Sequence, residues 1–390
     1  LFPYTTLFRS QFGKWHTGTD TGWGLDWDHQ IVWNRPLHPE NAGAYFYDQI
    51  VYEDGVRRQE PGYSTDVYTD WTCDFIKGRK RDPEKPWMLW LCWGAIHGPT
   101  TPAKRHIGKH KEDEIRYPED LLGPWPGKPD YLNKTQAWVR GEDGVIHAKG
   151  GKSKARYDKW VRQSNDCVEA LDEGVGRIIE ALRESGQLEN TLIVYTADQG
   201  FGMGEHGFKM KLGPWDATYR SPLIVSMPGR FAQNVSVKQP VNAPDLVSTF
   251  FAVAGIPEPW EMHGRNLTPV LEKPDGLELR PCLYSHTGKD YGSDVTRTLE
   301  KDPAKAEHNS VPYYLAVNDG DWKYIRYLRE GETEELYNLR DDPEELNNLA
   351  DQPAQKENLA RLREWMLSEA RRTKAGFAES LPKSKQMLAE

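Results

Sequence analysis

Asp198 and Gln199 close a short apolar, β-branched run, Thr191 to Ala197, and are followed by Gly200, Gly202, Gly204, Gly207 and then Lys211. The run has no room for a helical period and reads as a strand buried on both faces. In an open α/β sheet, ligands sit beyond the carboxyl ends of the strands, so the two side chains are expected at the rim where a site forms. Carboxylate and amide oxygens suit a hard cation such as calcium or magnesium. The glycines let the backbone turn sharply and pass close to a ligand. Lys211 adds a movable positive charge able to reach an anion held by that cation. The plainer reading of the same residues is a strand end followed by a glycine-rich turn with scattered charges.

Two other stretches carry groups of a matching kind. Lys14 and His16 are two apart, so in an extended backbone they point to one side and can share an anion. Taken alone, they read as a surface Lys and His flanking a packed Trp15. His97 follows the hydrophobic run Trp87 to Cys92, which Pro86 bounds and which reads as a central strand delivering His97 to the same sheet edge as Asp198. An imidazole there can donate a proton to a leaving oxygen near neutral pH. A single His at a strand end is more often a structural hydrogen-bonder, so its context decides.

That context is a resemblance. The run D-Q-G-x-x-x-G-E-H-G-x-x-x-K from Asp198 to Lys211, with Trp215-Asp216 and Arg220-Ser221-Pro222-Leu223-Ile224-Val225 after it, resembles the C-terminal half of the active site in the calcium-dependent, formylglycine-type sulfatases. Gly13-Lys14-Trp15-His16 is similar to their Gly-Lys-Trp-His motif, and His97-Gly98-Pro99 to their His-x-Pro motif. Order and approximate spacing agree, over a span from about residue 11 to Glu335-Leu336-Tyr337-Asn338-Leu339.

The resemblance implies an alkaline-phosphatase-like α/β fold and hydrolysis of sulfate esters, with one calcium ion held by Asp198 and Gln199. The family usually has Asn at the second position; Gln conserves the amide oxygen on a longer arm. Lys14 and Lys211 would neutralise sulfate, His16 would contact the formylglycine, and His97 would protonate the leaving alcohol. Such sulfatases also carry an Asp-Asp metal pair and a Cys-x-Pro-Ser-Arg signature upstream of Gly-Lys-Trp-His. None of Cys73, Cys92, Cys167 and Cys282 has the Pro-Ser-Arg continuation, and LFPYTTLFRS at the start resembles an in-frame translation of a sequencing-adapter oligonucleotide. The natural chain is therefore expected to enter near Gln11, the formylglycine to come from a Cys or Ser encoded upstream, and the chain as written to lack appreciable turnover. A periplasmic or secreted location is implied by the family. Two alternatives stand beside this: a two-metal phosphodiesterase or phosphonate hydrolase of the same superfamily, and a non-catalytic sugar-binding relative. Gln199 is a poor zinc ligand, which counts against the first.

Composition narrows the field. The chain has 390 residues, 28% of them charged, and a net charge of −9, which argues against a nucleic-acid partner. No 18-residue apolar run exists, so no membrane span is expected. An acidic balance still allows an anionic substrate in a locally positive pocket. The four cysteines form no C-x-x-C pair and read as buried free thiols, with one disulfide left open. Oligomeric state is not legible.

The remaining elements supply the frame. A helix is expected over Tyr63 to Lys77, burying Val67, Trp71, Phe75 and Ile76, with Ser64 or Thr65 as cap. Residues 103 to 156 form a long irregular segment rich in Pro, Lys and aromatic side chains. It suits a sulfated sugar or a solvated basic loop equally. His106 and His110 have a spacing that zinc can use, but Gly108 between them and the lack of a third ligand argue against it. A helix from Lys159 to Arg183 ends before Gly186, and another runs from Asp245 to Ala254. After residue 275 the texture changes to short strands, with Asn318-Asp319-Gly320-Asp321 as a hairpin signal and an amphipathic helix within Leu349 to Arg371. The fold class expected is α/β, with a central mixed, mostly parallel sheet flanked by helices and a small C-terminal subdomain of antiparallel sheet plus helix. The expected division is 1–10 adapter, 11–275 catalytic domain and 276–390 C-terminal subdomain.

Overall fold

The structure, a computed structural model, describes residues 7–16, 20–34, 45–150, 155–274, 280–286, 306–376 and 378–390. It divides into two compact units, residues 1–115 with 155–191 and residues 116–154 with 192–390.

Unit one is built on a five-stranded mixed sheet. Its strands are β1 (Phe8–Trp15), β2 (His29–Asn34), β3 (Tyr47–Glu53), β4 (Val56–Tyr63) and β5 (Trp87–Cys92), in the order β4-β3-β2-β1-β5. β1 runs parallel to both β2 and β5, while β2-β3 and β3-β4 are antiparallel. The parallel core explains why β2 is buried along its whole length. Helix α1 (Ser64–Ile76) lies on one face, where Phe12, Ile31, Trp33, Tyr68 and Phe75 form the core, and the long helix Tyr157–Glu184 adds Cys167 and Ala170 to it. On the other face of β1 and β2, Gln30 Nε2 donates to Gln11 Oε1 at 3.3 Å, which pairs two buried amides.

Several expectations change here. β5 has the expected bounds but is an edge strand of the described sheet, and Trp90 on it is 45% exposed. β1 takes in Phe8, Arg9 and Ser10 of the decapeptide, paired with Trp87, Met88 and Leu89; backbone hydrogen bonding extends a strand whatever the side chains. In α1 the buried face centres on Tyr68, with Val67 and Trp71 only partly covered, and neither Ser64 nor Thr65 caps the helix. Ser64 Oγ instead donates to the Tyr45 carbonyl at 2.8 Å.

In unit two, the strand before Asp198 spans Ile193–Thr196 and pairs antiparallel with Leu223–Ser226 in a two-stranded sheet. Neither strand is fully buried, so the expectation of a strand covered on both faces in one sheet with β5 is corrected. An apolar run of this length does not say how many neighbours it acquires. The helix Ala243–Val253 starts two residues earlier than expected, where Asp245 Oδ2 accepts the Asn242 N–H at 3.0 Å and the Asp245 N–H donates to the Asn242 carbonyl. A four-stranded antiparallel sheet, Cys282–His286, Tyr314–Asn318, Trp322–Tyr327 and Glu335–Asn338, follows. Leu315, Val317, Tyr324 and Leu336 face the helix Lys356–Arg372. The alternate residues Tyr314, Ala316, Ile325, Tyr327 and Tyr337 pack on Phe208, Trp215, Tyr131 and Leu132. This sheet therefore forms the floor under the glycine-rich segment. All four cysteines are free thiols.

Candidate active site

Lys14, His16 and His97 belong to unit one. Because β1 and β5 are parallel neighbours, their carboxyl ends fall at one sheet edge, and these ends carry Lys14 and the segment leading to His97. The two side chains meet at Tyr45. The His97 and Tyr45 rings are stacked, 4.4 Å apart at 3°, and Lys14 Nζ lies over the Tyr45 ring at 5.4 Å from its centroid. A turn fixes the His97 backbone: its N–H donates to Gly94 O at 3.1 Å, and Thr100 N–H donates to His97 O at 3.0 Å. His97 Nδ1 lies 2.8 Å from Gly98 O, which leaves Nε2 as the nitrogen for proton transfer. His16 is exposed just beyond β1.

The same region holds the first part of the basic, aromatic segment, and here its cations are engaged. Arg105 makes a bidentate pair with Asp66, both bonds 2.7 Å, and a further one with Glu173; Lys109 pairs with Glu169. His106 Nε2 is 3.2 Å from Glu173, while His110 lies 2.7 Å from Asp113 and 2.9 Å from Glu169. Hydrogen bonds to those two carboxylates raise the His110 pKa. Residues 104–113 thus form a strap on the acidic face of the long helix, which spends these charges on protein carboxylates.

Asp198, Gln199 and Lys211 belong to unit two. Asp198 is exposed and Gln199 half-buried at the carboxyl end of Ile193–Thr196, with Lys211 half-buried. Gly200 passes so close to the 218–220 backbone that a Cβ would sit 2.8 Å from Arg220 O. Gly202 N–H donates to Met210 O at 2.9 Å, closing the 202–210 loop just before Lys211. Asp198 and Gln199 fit a hard cation in kind, offering two of the six to eight oxygens that calcium takes. Among the described residues no group of three or more His, Cys, Asp or Glu side chains is gathered to hold a metal.

The sequence reading missed what anchors this loop. His206, fully buried at φ +53, has its N–H donating to Asp120 Oδ1 at 2.9 Å and Nδ1 2.6 Å from Asp120 Oδ2. Burial, aided by the Lys128 charge, pushes its pKa down to about 4 against the pull of Asp120. Trp138 Nε1 donates to Phe208 O at 2.9 Å, and Trp215 stands on the sheet floor with Nε1 donating to Glu335 Oε2 at 3.2 Å. Beneath Asp216, the buried Lys323 Nζ reaches Asp216 Oδ1 at 2.8 Å and Glu345 Oε1 at 2.6 Å. Burial opposes that charge, but the two carboxylates outweigh it and raise the Lys323 pKa. Burial, only partly offset by Lys323, pushes Glu345 up to about 7. Only the E-H-G and W-D letters of the motif hinted at these contacts.

The chain belongs to the Sulfatase family, whose model matches residues 6–256 and so takes in Lys14, His16, His97, Asp198, Gln199 and Lys211. A second model, N-sulphoglucosamine sulphohydrolase, C-terminal, matches residues 204–372. The chain is 26% identical over 386 residues to the N-acetylglucosamine-6-O-sulfatase of Bacteroides thetaiotaomicron, covering 86% of this chain and 65% of that protein. It is 29% identical over 275 residues to a putative extracellular sulfatase Sulf-1 homolog of Caenorhabditis elegans, covering 69% and 36%. Its fold is similar to that of a protein solved in complex with its substrate D-glucosamine-2-N,6-O-disulfate, with a TM-score of 0.77 at 23% identity, covering 96% of this chain and 81% of the other. The chain thus spans less than two thirds of the length of these two curated relatives.

Proposed function

We propose that this chain serves a sulfuric ester hydrolase that removes sulfate from a sulfated carbohydrate. The observation that carries the reading is the meeting of Lys14 and His97 at Tyr45, at the carboxyl ends of two parallel strands of a sulfatase-family chain. Hydrolysis of a sulfate ester breaks the bond between sulfur and the ester oxygen, and that oxygen leaves needing a proton. His97, charged, donates it through Nε2 while Gly98 O holds Nδ1–H. By the family motif, Lys14 and Lys211 would each serve to offset sulfate charge, and His16 would contact the attacking group. Asp198 and Gln199 would supply two of the oxygens for a calcium ion, which when bound would draw electron density from a sulfate oxygen. The attacking group would be a formylglycine; none of the four cysteines lies in its family motif.

A periplasmic or secreted location belongs to the same reading and is supported by the extracellular sulfatase named among the relatives. Among the described residues no helix is long and apolar enough to cross a membrane. The test is sulfate release from N-acetylglucosamine 6-sulfate by the natural full-length polypeptide. Preferred turnover of phosphonate monoesters or phosphodiesters with two zinc ions per chain would establish the two-metal alternative. Sugar binding without turnover would establish the binding relative.

A further inference from the structure

We propose that Tyr45 is a positioning residue that orients His97 and holds the Lys14 ammonium beside it. The inference deepens the sulfate-ester reading and rests on it. Tyr45 is 2% exposed and is itself held firmly. Its carbonyl accepts from Ser64 Oγ at 2.8 Å and from Gln49 Nε2 at 3.2 Å, and its ring meets the Trp33 indole edge-on at 4.6 Å. Ser64 opens α1 and Trp33 lies in the fully buried β2, so the ring is tied to the rigid part of unit one. His97, by contrast, sits in the turn after β5 on an edge of the sheet. That turn passes close to Tyr45: a Cβ added at Gly94 would lie 3.2 Å from Tyr45 O.

The stacking geometry does two things. A nearly parallel ring at 4.4 Å restricts rotation of the imidazole, so Nε2 is aimed in one direction, with Nδ1 tied to Gly98 O. The electron-rich ring also attracts cations, and the Lys14 ammonium lies over it. One aromatic ring thereby contacts both the proton donor and the ammonium. Misplacing a proton donor by about 1 Å costs on the order of 100-fold in rate, so a ring that touches no reacting atom can still govern turnover.

The test is kinetic and uses two leaving groups in the natural full-length enzyme. A sugar 6-sulfate releases an alkoxide that needs His97; 4-nitrophenyl sulfate releases a stable phenolate that does not. Tyr45→Leu is expected to lower kcat on the sugar sulfate about 30-fold or more while lowering it about threefold or less on 4-nitrophenyl sulfate, and Tyr45→Phe is expected to restore both. Equal losses on the two substrates would assign Tyr45 a general packing role and overturn the proposal, as would no loss on either. If the unsubstituted enzyme releases sulfate from neither, the sulfatase reading falls and takes this role with it, a result distinct from turnover with equal losses. Should Tyr45→Leu not fold, NMR of the unsubstituted 390-residue chain decides. The His97 ring protons, assigned with His97→Gln, are expected upfield of free histidine because of the stacked ring; unshifted resonances would overturn the proposal.

Discussion

A Cβ on Gly13 would stand 2.1 Å from the main-chain oxygen of Cys92, so β1 and β5 approach as closely as they do only because the residue before Lys14 has no side chain. Gly13 also sits at φ +100, a backbone conformation that side chains resist. Gly13→Ala is therefore expected to destabilise the chain by about 3 kcal/mol. A urea unfolding midpoint equal to that of the parent would show that the strands can separate at no cost.

Lys323 is the only cation in contact with the buried Glu345 carboxylate among the described ion pairs, and it also holds Asp216. Lys323→Ala leaves the buried Glu345 and the half-buried Asp216 without this shared cation and is expected to cost about 3 kcal/mol. Adding Glu345→Gln to Lys323→Ala is expected to recover part of that loss, because the more deeply buried of the two uncompensated charges is removed. Thermal unfolding of the single and double variants measures the difference.

His206 makes stability depend on pH. Its folded pKa of about 4 lies below the ordinary 6.5, so between these values the unfolded chain binds more protons and stability rises with pH. The contribution, about 3 kcal/mol, is complete above pH 6.5 and lost as the pH falls to 4. Glu345 acts oppositely: raised from 4.5 to about 7, its contribution is complete below pH 4.5 and lost as the pH rises to 7. The two partly cancel in the parent, so the comparison to make is with His206→Asn, which tolerates the left-handed backbone. The stability difference between them should shrink from pH 7 to pH 4; a constant difference would show that His206 does not titrate in the native state.

Calcium binding at Asp198 and Gln199 is testable without turnover. In the natural full-length protein, chelation of calcium is expected to lower Tm, since a ligand bound only by the folded state stabilises it. Asp198→Ala should abolish the dependence, and Gln199→Asn should keep it. A Tm indifferent to calcium would remove both residues from the ligand set.

Elements written in a local pattern were legible. The long helix runs Tyr157–Glu184 against an expected 159–183, β5 has the expected bounds, and the Asn318–Asp321 turn joins two strands as its residues require. Burial was legible only in outline. Val168 fits the helical period and is 44% exposed, whereas Asp166 on that helix is buried because it accepts the N–H groups of Gly108 and His110. Periodicity marks a face without saying what covers it.

By itself the sequence determined the family, and it singled out Lys14, His16, His97, Asp198, Gln199 and Lys211 as the proposed site residues, since motifs are written along the chain. Only the tertiary structure decided that Lys14 and His97 share Tyr45, that the strand before Asp198 pairs antiparallel with Leu223–Ser226, and that Asp120, Lys323 and Glu345 anchor the glycine-rich loop. Those partners lie 27 to 129 residues apart, and proximity over such separations is set by packing and strand pairing, which no local pattern encodes.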